Sequence, residues 1–399
     1  MSKPKIAAIL TEYFTNSHAD VIVTKYLRGF PTDDGLIPPR TEIVSIYLDQ
    51  TFDRDVGRGY AAEYGVPIYE SIPKALCLGG DKLAVDGVLL IGEHGDYAWN
   101  EKEQHLYPRK FFMEQICGVF ATSGRSVPIF NDKHLSYNWA DAKWMYDRAN
   151  ALNVPFMAGS SVPTAWRSPW VEHDLGTPID EALAIGYSGL DVYGFHTLEA
   201  LQCMVERRAA QTGQGETGYG ETGVAAVTCL EGDAVWQAAE DGLWSRELAD
   251  RAIEIIEKKK EGSVHEHCPN PALFLVEYRD GFRGAVLLLT GFVTTFAYAA
   301  RVGDEIVATE MYLQTGLHHA HFSYLSLNVE EMFVTGKPSY PVERTLLTTG
   351  ILEAALDSRY QGHVRIETPH LDVAYTPAES FPHRPSGERP AGATLTPLE

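Results

Sequence analysis

Between residues 5 and 158, short apolar runs alternate with amphipathic stretches of helical period. The apolar runs fall at 5–10, 42–48, 66–69, 86–91, 127–130 and 154–158. The amphipathic stretches fall at 19–28, 54–64, 108–122 and 140–152, the second closed by Gly65 as a C-cap. Strands that alternate with helices over short connections predict a parallel, doubly wound, Rossmann-like α/β sheet with right-handed crossovers. Six strands fill a sheet of the dinucleotide-binding type. The stretch 29–39 is rich in Gly, Pro and Asp and reads as a surface loop.

The pattern changes after Pro163, where Trp166, Pro169, Trp170 and Pro178 mark a linker. Beyond it come a strand at 182–185, a helix at 195–208, a glycine-rich loop reaching Gly223 and a charged helix at 247–261. Four strand-like runs follow, at 272–278, 284–290, 294–300 and 305–313, the first two joined by an Arg279-Asp280-Gly281 hairpin turn. Helices at 320–334 and 343–358 precede a last strand near Val364. This is an α+β domain with a mostly antiparallel open sheet. The predicted division is a Rossmann-like domain over 1–163 and a substrate and oligomerisation domain over 164–376. A tail at 377–399, rich in Pro, Ser and Gly, is expected to be disordered.

Composition narrows the function classes. At 399 residues the chain is too long for one ordinary core. With 33 basic and 54 acidic residues the net charge is −21, so the surface repels phosphate backbones and nucleic acid is not an expected partner. No apolar run approaches the roughly 18 residues of a membrane span. Residues 1–5, Met-Ser-Lys-Pro-Lys, lead straight into a short strand without a secretory pattern, which points to the cytoplasm. Five cysteines without a CxxC pair read as core thiols in a reducing compartment.

The candidate chemistry gathers at strand ends, where open α/β sheets bind their ligands. The run 127–130 ends in Asn131-Asp132-Lys133-His134: a lysine there can hold a hydroxyl or carbonyl oxygen, and a histidine can move a proton near neutral pH. The run 86–91 ends in Gly92-Glu93-His94-Gly95-Asp96, which reads as a substrate or cofactor contact or as a polar turn. His196 and Glu199 share one helix face at i,i+3. Asp132, His134, His196 and Glu199, with His94, are candidate ligands of a mixed N/O metal site, or else a polar network between domains. His318-His319-Ala320-His321 reads as a polar helix entry. Arg109, Arg125 and Arg167 are candidates for binding a carboxylate.

The six-strand first half, the run 61–67 (Ala-Ala-Glu-Tyr-Gly-Val-Pro), Lys133 at its strand end and Gly194-Phe195-His196-Thr197-Leu198-Glu199 together resemble the Gfo/Idh/MocA oxidoreductases. So does the helix pair around 333–359 with its Thr335-Gly336-Lys337-Pro338 turn. The resemblance implies an enzyme acting on a hydroxyl or carbonyl of a sugar- or polyol-like small molecule with NAD or NADP, assembled as a homo-oligomer. By it, Lys133 stands for the family's strand-end lysine, His196 for its catalytic histidine, acting as base in oxidation and acid in reduction, and Asp191 for the acid that precedes it. His134 joins them as a proton carrier where the family has proline.

One departure concerns the cofactor. The family's G-x-G-x-x-G after the first strand reads Thr11-Glu12-Tyr13-Phe14-Thr15-Asn16 here, without a glycine. Glycines in that turn let backbone amides reach the pyrophosphate, and Glu12 adds a negative charge beside it. The expected cofactor contacts are therefore Thr11, Glu12, Asn16, His18, Asp49, Glu93 and His94. The alternative is a hydrolase or lyase that has lost the dinucleotide and uses a divalent metal ion.

Overall fold

The computed structural model describes residues 2–211, 217–385 and 392–398. Part of the glycine-rich loop, at 212–216, and part of the tail, at 386–391, lie outside the described residues.

The first half runs β1 (Lys5–Leu10), α1 (His18–Arg28), β2 (Phe30–Thr32), β3 (Gly35–Ile37), β4 (Glu42–Leu48), α2 (Gly57–Tyr64), β5 (Ile68–Tyr69), α3 (Ile72–Leu76), β6 (Gly87–Ile91), α4 (Arg109–Ser123), β7 (Ile129–Asp132), α5 (Trp139–Ala151) and β8 (Phe156–Gly159). Six of these strands form an all-parallel sheet in the order β5-β4-β1-β6-β7-β8. The order reverses at β1, so a crevice opens between the carboxyl ends of β1 and β6. Both faces of the sheet are covered, and β1 and β6 read as continuous apolar runs for that reason. Ile9, Val88 and Leu90 pack toward α4 through Phe112 and Ile116, and Ile6, Ala8 and Leu10 pack toward α1 through Val21 and Ile22.

The second half runs β9 (Trp166–Ser168), β10 (Ile179–Gly186), α6 (Val192–Val205), β11 (Ala209–Gln211), β12 (Thr217–Tyr219), β13 (Val224–Glu231), α7 (Asp233–Glu240), α8 (Arg246–Ile255), α9 (Val264–His267), β14 (Ala272–Tyr278), β15 (Arg283–Leu288), β16 (Phe296–Val302), β17 (Glu305–Tyr312), α10 (Gly316–His319), α11 (His321–Thr335), α12 (Glu343–Tyr360) and β18 (Ile366–Glu367). Eight strands form a second sheet in the order β18-β13-β14-β15-β10-β16-β17-β9. Only β10 and β15 pair in parallel; every other neighbouring pair is antiparallel. The expected two-domain α/β plus α+β architecture is the one found.

Several details differ from the expectation. The stretch 29–39 is not an open loop but holds the β2–β3 hairpin. Helices α3 and α7 carry too short a period to stand out in the sequence. Helix α11 returns to the first domain: Tyr26 Oη donates to the Ser326 carbonyl, and Met332 and Phe333 share a core with β1 and α1. The boundary at 163 is therefore a change of sheet and not a clean cut. The described parts of the tail are packed: Phe381 lies on Tyr340, Arg207 donates to the Ala378 and Glu379 carbonyls, and Leu36 N donates to the Thr396 carbonyl. Chain polarity had hidden these contacts, because they are made through backbone carbonyls and one aromatic ring.

Candidate functional site

The carboxyl ends of β1, β6, β7 and β8 face the second domain across a cavity of about 280 Å³. The first domain lines it with Asn16, His18, Glu93, His94 and Lys133; the second lines it with Tyr187, Tyr193, His196 and Phe296; the α10–α11 segment closes it with His319, His321 and Phe322. Lys133 and His196, far apart in sequence, thus meet in one pocket.

Backbone strain gathers at the same place. Nine non-glycine residues among those described have positive φ, and four of them line this cavity: Asn16, His94, Lys133 and His319. Each such conformation costs on the order of 1 kcal/mol or more and persists only where surrounding structure enforces it. At Lys133, with φ 63°, the turn out of β7 is held by Lys133 N donating to the Gly159 carbonyl.

Lys133 is anchored by charge. Its Nζ donates to Glu93 Oε1 at 2.7 Å, and Arg109 Nη2 donates to Glu93 Oε2 at 2.5 Å, all three side chains being buried. Burial alone would raise the Glu93 pKa, but Lys133 and Arg109 outweigh it and hold the carboxyl well below its ordinary range. Glu93 is therefore an anion that aims the lysine, while its own carbonyl accepts the Thr11 hydroxyl at 2.6 Å. Next to it, His94 has a buried Nε2 without a protein partner. Burial drives its pKa down to about 4, so the ring is neutral.

Two further pocket imidazoles are held in different ways. His18 Nδ1 lies 2.7 Å from Asp132 Oδ2, and Asp132 is 1% exposed at the end of β7. His196 Nδ1 lies 2.6 Å from Ser160 Oγ, which also accepts the Val162 N–H at 3.1 Å. Burial, with Lys133 nearby, pushes the His196 pKa well below its ordinary value, so this ring too is neutral. Ser160 follows Gly159, whose φ of 125° suits glycine. A Cβ there would come within 2.7 Å of both Glu199 Oε2 and Thr345 Oγ1.

Other sequence-predicted residues lie elsewhere. His134 is buried behind the pocket with its ring against Arg109 Nη1, 3.2 Å from Nδ1, and does not line the cavity. Asp191 precedes α6, accepts the His105 N–H at 3.2 Å and faces a separate cavity beside Trp99 and Arg359. Burial raises its pKa to about 6. Arg125 and Arg167 are paired with Asp86 and Glu172. Of the histidine run, His319 and His321 line the cavity; the side chain of His318 is outside the described residues.

The metal reading is corrected. Among the described residues no group of three His, Cys, Asp or Glu side chains is placed to hold an ion. Asp132, His134, His196 and Glu199 point to different partners. Glu199 is committed to Thr348 Oγ1 at 2.7 Å, Thr345 Oγ1 at 3.3 Å and Ser160 N at 3.4 Å, so it serves as an interdomain acceptor.

The residues expected to hold a dinucleotide do not fit one as they stand. The amides that a pyrophosphate would take are used internally: Asn16 N donates to Asp20 Oδ2, and Phe14 N and Asp20 N both donate to Ser17 Oγ. Glu12 is fully buried and paired with Arg54, at 2.6 Å from Nε and 2.7 Å from Nη2. Asp49 accepts the hydroxyls of Tyr47 and Tyr97. Gln50 exchanges two hydrogen bonds with the backbone of Asp96, joining the segments that follow β4 and β6.

Sequence reasoning missed Ser160, Tyr187 and Phe322, and left Arg109 unselected. Ser160 had a usable signal, since Ser160-Ser161 ends an apolar run at a strand's carboxyl end. The others depend on how the domains meet.

Comparison with known proteins yields no matching family model and no matching curated protein. Solved structures do match. GenD2 from gentamicin A biosynthesis, in complex with NAD, is 13% identical, over 92% of this chain and 97% of that one, with a TM-score of 0.55. Apo scyllo-inositol dehydrogenase from Lactobacillus casei is 8% identical, over 92% and 98%, with a TM-score of 0.56. Myo-inositol 2-dehydrogenase from Lactobacillus plantarum is 11% identical, over 92% and 99%, with a TM-score of 0.55. The chain therefore shares, along nearly its whole length, the two-domain fold of inositol and sugar dehydrogenases. That is the fold which the Gfo/Idh/MocA resemblance implied.

Proposed function

We propose that the protein is an oxidoreductase acting on a hydroxyl or carbonyl of a sugar- or polyol-like small molecule, with NAD or NADP as redox partner. The observation that carries this reading is the meeting of Lys133 and His196 in one cavity of a dehydrogenase fold. The Lys133 ammonium, fixed by Glu93, binds and polarises the reacting oxygen. His196 approaches from the other domain, and His94 lines the same cavity beside them. A pocket of this volume, walled by Tyr187, Tyr193 and Phe296, takes a single ring of polyol size.

A nicotinamide dinucleotide supplies hydride transfer when bound. Binding would require Asp20 to leave the Asn16 amide and the Gln50–Asp96 pair to part, so the apparent affinity would be lowered by the fraction of molecules that are open. A homo-oligomer belongs to the same reading and is tested by light scattering. The reading itself is tested by incubating the protein with inositols and the corresponding inososes, each with NAD, NADP or the reduced forms, and following nicotinamide absorbance. Turnover with one pair supports it. No turnover with any pair, together with no binding of NADH or NADPH up to millimolar concentration, overturns it.

A further inference from the structure

His18 was expected to touch a cofactor, yet its environment gives it a different task. Its ring stands inside the cavity, with centroids 5.6 Å from His94, 6.5 Å from His196 and 5.2 Å from Phe322. Its Nδ1 is 2.7 Å from Asp132 Oδ2. A carboxylate accepts hydrogen bonds and donates none, so Nδ1 carries the shared hydrogen and Nε2 is the nitrogen left to exchange a proton with a ligand. A buried carboxylate behind an imidazole fixes both tautomer and orientation and stabilises the imidazolium that forms on proton uptake.

His196 is the reverse case. Ser160 Oγ accepts the Val162 N–H and lies 2.6 Å from His196 Nδ1, and its one hydrogen can be directed at that ring nitrogen. In that arrangement Nδ1 accepts and the ring hydrogen sits on Nε2. The two rings on one cavity are thus set in opposite senses, one to accept and one to donate.

We infer that His18, positioned by Asp132, is the proton acceptor of this pocket, and that His196, positioned by Ser160, is the complementary hydrogen-bond donor. The inference rests on the reading that the cavity acts on a hydroxyl or carbonyl. In the step assigned, the substrate O–H bond breaks and its proton passes to His18 Nε2. The electron pair stays on oxygen, where the Lys133 ammonium and the His196 Nε2–H stabilise it. The step is redox-neutral and needs no co-reactant. His18 is then a catalytic residue; Asp132 and Ser160 are positioning residues.

The test needs no substrate. Side-chain nitrogen NMR of the full chain, with His18→Gln and His196→Gln variants for assignment, reads the tautomers directly. The expected result is Nδ1–H at His18 and Nε2–H at His196. Diethyl pyrocarbonate, which attacks the lone-pair nitrogen of a neutral imidazole, is the second probe, read by peptide mass spectrometry with exposed His265 as internal reference. His18 is expected to react, and Asp132→Asn to slow it about tenfold relative to His265 by removing the carboxylate. Nε2–H at His18 in the unaltered protein, or an unchanged relative rate in Asp132→Asn, overturns the inference. If that variant does not fold, the tautomers of the unaltered protein decide alone. The expected signature in a protein that neither turns over a polyol with NAD or NADP nor binds NADH or NADPH supports the dyad and rejects only the oxidoreductase reading.

Discussion

Ser160 Oγ and His196 Nδ1 lie 2.6 Å apart, and they belong to different domains, one following β8 and the other inside α6. In the inferred tautomer, a hydroxyl of the first domain sets which nitrogen of the second-domain histidine carries the hydrogen. Ser160→Ala frees the ring to change tautomer. For a polyol that the enzyme turns over, kcat is expected to fall about tenfold or more with KM little changed, because the lost function is donation to the reacting oxygen. A matching rise in KM with kcat unchanged contradicts this role.

The Glu93 anion supports two buried cations at once. Glu93→Ala leaves Lys133 and Arg109 uncompensated, and removal of one partner of a buried pair typically costs about 3–5 kcal/mol. Urea unfolding is expected to show a loss of that order. Glu93→Gln keeps the hydrogen-bond acceptor but not the charge, so its loss is expected to be smaller yet measurable.

Asp191 should make stability depend on pH in a recognisable direction. Its pKa is raised from 3.8 to about 6 by burial. The folded state thus holds a proton that the unfolded state has released. The stability this contributes is fully present below 3.8 and is lost as pH rises through about 6. Asp191→Asn, which can still accept the His105 N–H, is therefore expected to stabilise the protein by on the order of 1–3 kcal/mol at about pH 8. At about pH 4 the gain should nearly vanish. Melts of both proteins across that range check the sign; an equal gain at both ends goes against a buried, protonating carboxyl.

The β1–α1 turn makes a prediction about affinity. Asp20 Oδ2 occupies the Asn16 amide and places a carboxylate at the start of α1, where the helix dipole otherwise favours a phosphate. Fluorescence titration is expected to show weak NADH binding in the unaltered protein. Asp20→Asn is expected to tighten it by roughly fivefold, the order of a 1 kcal/mol local charge effect. Unchanged affinity means that the amide is not the obstacle.

Treatment with EDTA is expected to leave activity intact. Glu199, the carboxylate that the sequence offered as a ligand, spends its oxygens on Thr345, Thr348 and the Ser160 amide. Loss of activity on chelation, restored by one divalent ion, would reinstate the metal reading.

What the sequence by itself determined is everything that depends on local periodicity and turn chemistry. Apolar runs such as 86–91 had to be strands buried on both faces, and the charged residues directly after them, Glu93 and Lys133, had to emerge at strand ends. The absence of glycine from the β1–α1 turn was equally plain, and so was the difficulty it raises for a pyrophosphate. The partners could not be read, because a hydrogen bond between residues far apart in the chain leaves no trace in spacing. Asp132 was legible as an acid at a strand end; that it faces His18 and not a metal ion was decided by how α1 packs over the sheet. Asp191 and His134 carried the right chemistry in the sequence, and the turn of α6 and the Arg109 side chain took them out of the cavity. Tertiary structure alone brought Ser160 to His196 and folded α11 back onto the first domain, since both follow from burying apolar surface between two sheets, a condition set by the whole chain and by no single segment of it.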